Sequence, residues 1–80
     1  MSYKERAIMK AAEFMRRVKR LANVRGVPFR FEPRTGKGSH GRLYYGSRFM
    51  TVKDRKQEIG AGLLNAMLTQ LGLTKQDLGL

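Results

Sequence analysis

The one histidine of this 80-residue chain, His40, sits in the segment Gly36-Lys37-Gly38-Ser39-His40-Gly41. An imidazole, with a reference pKa of about 6.5, exists in both protonation states near neutral pH and so suits general acid–base work. The flanking glycines leave the ring little crowded, and Lys37 and Arg42 supply positive charge nearby in sequence. RNA carries its own nucleophile. It is cleaved when the 2′-hydroxyl proton is removed, charge on the phosphorane-like transition state is stabilised, and the departing 5′-oxygen is protonated. His40 can serve in either proton transfer, while Lys37, Arg42 or backbone amides of the glycine-rich loop hold the non-bridging oxygens. One histidine cannot do both jobs at once, and Tyr44, Tyr45, a lysine or water are all open as its partner.

Other chemistries fit the chain less well. A zinc site needs three or four ligands from His, Cys, Asp and Glu, whereas this sequence has one histidine, no cysteine and scattered carboxylates. The run from Gly36 to Gly41 matches the dinucleotide fingerprint G-x-G-x-x-G, but that motif works between a strand and a helix, and here a strand is expected to follow. Ser39 as a nucleophile beside His40 is weak, because neighbours on a strand point to opposite faces and no orienting carboxylate is evident. Neither a metal nor a small-molecule cofactor is expected.

Seventeen Lys and Arg against six Asp and Glu give a formal charge of +11, a field suited to a polyanion. Nucleic acid is the leading partner. A membrane surface fits less well, since the basic segments are interleaved with strand-like aromatic sequence instead of forming one amphipathic helix. The absence of cysteine suits a reducing cytoplasm. The first residues lack the apolar stretch of a signal peptide, and no segment reaches transmembrane length. The length allows a single domain, residues 1–80.

The elements that must position His40 follow from periodicity. From about Tyr3 to Val24, Ile8, Ala11, Met15, Val18 and Ala22 fall at helical spacing, widened by Phe14 and Leu21. Arg6, Lys10, Arg17 and Arg20 line the other side through Glu13, a basic ridge able to meet phosphate. Gly26 and Pro28 end this helix, and Val27, Phe29 and Phe31 then alternate with outward Arg30 and Glu32 as a strand. A turn-rich basic loop over 33–38 leads to a second strand from His40 to Tyr45, a turn at Gly46-Ser47, and a third strand from Arg48 to Lys53. By parity Tyr44 shares the ligand side with His40 and Arg42, while Leu43 and Tyr45 pack inward. Arg34, Arg48 and Lys53 are further candidates for RNA contact. A second helix from about Ala61 buries Leu64, Met67, Leu68 and Leu71 and ends at Gly72 as a left-handed cap, with Leu73 folding back. Thr74 and Asp77 mark a short terminal helix. The expected fold is α+β, in the order α-β-β-β-α, with a three-stranded antiparallel sheet, both helices on one face and the other face free for a ligand.

Gly38-Ser39-His40, a strand with Tyr44, a further strand, then Gly62-Leu63-Leu64 opening a helix that closes on Leu71-Gly72-Leu73, resembles the HicA family over about Phe14 to Leu73. The resemblance implies a fold like that of double-stranded RNA-binding domains and the role of toxin in a type II toxin–antitoxin pair. It also implies endoribonuclease cleavage of mRNA, growth arrest, and neutralisation by a HicB-like antitoxin. By resemblance the catalytic histidine is His40, and the motif glycine and serine are Gly38 and Ser39. The chain departs from many relatives in lacking a proline near Thr51-Val52-Lys53-Asp54 and in its longer basic start. The competing reading is a non-catalytic double-stranded-RNA-binding or ribosome-associated basic domain, in which His40 is dispensable.

Overall fold

The structure, a computed structural model, describes residues 7–34 and 40–80. The predicted positions Arg6, Lys37, Gly38 and Ser39 lie outside the described residues. The chain order is β1 (Met9–Lys10), α1 (Ala11–Arg25), β2 (Phe29–Pro33), β3 (Gly41–Tyr45), β4 (Arg48–Val52), β5 (Glu58–Ile59), α2 (Ala61–Leu71) and a terminal 3-10 turn over Gln76–Leu78. It is an α+β fold in which β2, β3 and β4 form a three-stranded antiparallel meander and both helices lie on one face of it. The expected α-β-β-β-α order therefore stands. A second, two-stranded sheet that pairs β1 with β5 is added to it.

That small sheet corrects the start of the first helix, which begins at Ala11 and not near Tyr3. Met9 pairs with Ile59 and Lys10 with Glu58, so the chain is extended where the apolar spacing reads as helical. Ile8, assigned above to the buried stripe, is 44 % exposed, and Met9 is buried in its place. No side chain caps α1. Its first-turn amides are met from across the fold: Ala11 N–H donates to the Gln57 carbonyl and Ala12 N–H to the Arg55 carbonyl, both at 2.8 Å. Helix-end donors without a local cap need such a partner, and it comes from a segment more than forty residues away.

The buried stripe of α1 is Ala11, Phe14, Val18 and Ala22, with Met15 and Leu21 only partly covered. Phe14 is thus the centre of the stripe instead of its margin. It packs in one core with Leu43, Tyr45, Met50 and Val52 from the sheet, Ile59 from β5, and Leu64, Met67, Leu68 and Leu71 from α2. The alternation of β3 drives this: Leu43 and Tyr45 are buried while Arg42 is exposed and Tyr44 half-buried.

Gly72 closes α2 in the left-handed region at φ 71, and Leu73 N–H reaches back to the Leu68 carbonyl at 2.9 Å, burying the Leu73 side chain against the last turn. The terminal turn is fastened by a reciprocal pair: Thr74 N–H donates to Asp77 Oδ2 at 2.8 Å, and Asp77 N–H to Thr74 Oγ1 at 3.2 Å. Asp77 also receives Arg25 Nη2 from the end of α1 at 2.6 Å. The Thr74 amide first, and Arg25 next, hold the Asp77 carboxyl below its ordinary range. Arg25 in turn is raised by its bonds to Tyr45 and then Asp77. No helix among the described residues is long and apolar enough to cross a membrane.

Candidate nucleic-acid interface

With the helices and core on the inner face, the alternate residues of the three strands face outward. Register places them in two rows: Arg30, Tyr44 and Phe49 in one, Glu32, Arg42 and Thr51 in the other. The rows are knit by their own side chains. The Arg30 guanidinium lies 4.5 Å from the Tyr44 ring centre and that of Arg42 lies 4.9 Å from the Phe49 ring. The Tyr44 and Phe49 rings are 5.7 Å apart and tilted by 40°. Glu32, the only carboxylate in these rows, pairs with Arg30 at 3.3 Å and accepts the Tyr44 hydroxyl at 3.5 Å.

His40 stands immediately before β3 and is exposed. Its carbonyl accepts Arg34 N–H at 2.8 Å, extending the β2–β3 ladder by one step beyond the Pro33–Gly41 pair. Lys53 follows Val52, the other partner of Gly41. The ends of three strands therefore bring Arg34, His40 and Lys53 together at one end of the sheet, next to the Glu32–Arg42–Thr51 row. A shallow groove of about 260 Å³ runs there, lined by Glu32, Pro33, Arg34, Gly41, Arg42 and Thr51. The strand starts at Gly41, one residue after the expected His40, and Tyr44 and Arg42 share the outer side as parity requires.

Gly41 has a structural reason of its own. A Cβ there would meet the Glu32 carbonyl oxygen and Phe31 Cζ, each at 2.5 Å, so the Phe31 ring lies where a side chain would be. The ring is held from its other surroundings by Arg55, whose guanidinium sits 4.9 Å from its centre.

Among the described residues, the other predicted basic positions are not brought to this face. Arg17 bonds Glu13 at 3.0 Å and donates to the Leu78 carbonyl at 2.9 Å, joining α1 to the terminal turn. Arg20 is exposed on the helix layer, across the sheet from Tyr44. Lys10 is exposed in β1, not on a helical ridge. Arg48 packs over Gly72 at the end of α2, within 2.9 Å of where a Cβ would stand, a favourable place for a cation at a helix C-terminus. The basic ridge is therefore split from the His40 end of the sheet.

Arg30 and Phe49 join the outer row without having been singled out as site residues. The alternation of the strand marks Arg30 as outward together with Glu32. Phe49 is followed by Met50, so apolar sequence alone does not say which of the two faces out; pairing of Leu43 with Met50 settles it. Among the described residues no three of His, Cys, Asp and Glu gather in a group able to hold a metal ion. No protein-family model, curated protein or solved structure matches the chain.

Proposed function

We propose that this chain is an endoribonuclease toxin that cleaves mRNA without a metal ion, with His40 as its catalytic acid–base group, and that a HicB-like antitoxin neutralises it. The observation that carries the reading is the meeting of Arg34, His40 and Lys53 at one end of an open sheet face, beside Arg42. An exposed imidazole amid cations suits a phosphodiester. The imidazole takes the 2′-hydroxyl proton, the 2′-oxygen attacks phosphorus as the bond to the 5′-oxygen breaks, and that oxygen takes a proton from water or a second side chain, producing a cyclic 2′,3′-phosphate and a 5′-hydroxyl end. Arg42 and the segment Lys37-Gly38-Ser39 hold the non-bridging oxygens in this scheme. With a formal charge of +11, the chain calls for an acidic antitoxin, and its mRNA substrate puts its action in the cytoplasm.

The test is cleavage of mRNA by purified protein in the presence of a chelator. His40→Ala is expected to lower the rate by at least about 100-fold, the scale of lost acid–base catalysis, with thermal unfolding unchanged. Undiminished cleavage by that variant overturns the proposal.

A further inference from the structure

Phe49 keeps 48 % of its surface exposed in a strand whose neighbours Met50 and Val52 are buried. Beside it lies half-buried Tyr44, and each ring carries a guanidinium over it, Arg30 on Tyr44 and Arg42 on Phe49. Arg42 forms no ion pair among the described residues, and with Arg30 it outnumbers Glu32, the one carboxylate of these rows. A partly exposed aromatic pair set among cations fits a ligand that has both a flat apolar surface and negative charge. Nucleic-acid bases joined by phosphates have both, and aromatic rings and arginine planes are alike able to stack on a base.

We infer that the outer face of the sheet binds single-stranded RNA by stacking bases on Tyr44 and Phe49, with Arg30 and Arg42 extending the stacks and meeting backbone phosphates. The ligand's being RNA rests on the ribonuclease reading; the strand state and the surface that holds it are added here. A duplex keeps its bases stacked within the helix and offers side chains mainly phosphates and 2′-hydroxyls, which leaves the rings without a partner. The 40° tilt between the rings makes them two separate platforms, suited to splayed bases of an unpaired strand. Tyr44 is four residues along the strand from His40, roughly 13 Å at the usual strand rise, so RNA seated on the rings reaches the imidazole within the span of a short oligonucleotide. An acidic protein would meet the charge of this face but has less use for paired rings already capped by guanidinium planes.

The probe is a fluorescent 2′-O-methyl oligoribonucleotide, which lacks the nucleophile and stays intact whatever His40 does. Its binding to the full chain is followed by anisotropy, single-stranded and annealed to its complement. The single strand is expected to bind at least about tenfold more tightly than the duplex, and Phe49→Leu and Tyr44→Leu each to weaken it by about tenfold. Phe49→Tyr, which restores a ring, is expected to bind as the unmodified protein does. Thermal unfolding of Phe49→Leu within a few degrees of the parent shows that the fold is kept. Equal binding of duplex and single strand, or full affinity in both leucine variants, overturns the inference. Poly-glutamate binding that falls with Phe49→Leu while RNA binding holds assigns the face to an acidic protein and overturns it as well. Cleavage of unmodified RNA by His40→Ala is measured in parallel, so loss of the stacking site and loss of the ribonuclease reading are seen separately.

Discussion

Gly41 lies in β3 with the Phe31 ring and the Glu32 carbonyl where a Cβ would stand. Alanine there must push both away, and only the ring can yield by rotating. Gly41→Ala is expected to destabilise the protein by about 1–3 kcal/mol, the usual cost of forced overpacking, read from urea unfolding. Adding Phe31→Ala is expected to return only part of that loss, because the backbone oxygen stays; full recovery would show that the ring alone demands glycine. The flanking glycine was legible in sequence as space for the imidazole, but its tighter constraint was not, since it comes from a residue on the neighbouring strand. Parity, by contrast, separated Arg42 and Tyr44 from Leu43 and Tyr45 because a strand allows no other alternation. Glu32 is the one negative charge in the outer rows. Glu32→Gln is therefore expected to tighten RNA binding by about two- to fivefold at low salt, an effect that fades as salt screens the face. Weaker binding would mean that Glu32 chiefly holds Arg30 and Tyr44 in place.

At the scale of elements, α2 was readable almost to the residue, since its apolar spacing and the glycine after Leu71 are local signals. The start of α1 was not. Ile8 fits a helical stripe, yet the strand pair that overrides it depends on Glu58 and Ile59, far along the chain. The two ends of α1 are both held by distant partners, the first turn by the 55–57 carbonyls and the last by Asp77. Because the Asp77 carboxyl is held below its unfolded value, its stabilising effect is full above the ordinary carboxylate range of about 3.9 and is lost as pH falls through the lowered native value. Asp77→Asn is expected to lower Tm at neutral pH and to lose less further Tm than the parent below about pH 4. Parallel Tm curves for the two proteins from neutral to acid pH would mean that Asp77 titrates alike folded and unfolded.

At the scale of the molecule, the sheet separates two basic surfaces: Arg30 and Arg42 with the His40 end on one side, and the α1 arginines on the other. The net charge of +11 was legible from composition, but its division between two faces depends on which strand residues point out, and only the register decides that. The division has a measurable consequence. Every phosphate neutralised on a single strand contributes about 0.7 to the slope of log K against log salt. Arg42→Gln is therefore expected to reduce that slope by about 0.7 for a 2′-O-methyl single strand, whereas Arg20→Gln, on the helix layer, is expected to weaken binding slightly through the general field and leave the slope unchanged. The slope distinguishes the two because a distant charge alters the potential without releasing a counterion of its own. Equal losses of slope in both variants would mean that RNA wraps the edge of the sheet onto α1, and the helix arginines would then belong to the same interface as Tyr44 and Phe49.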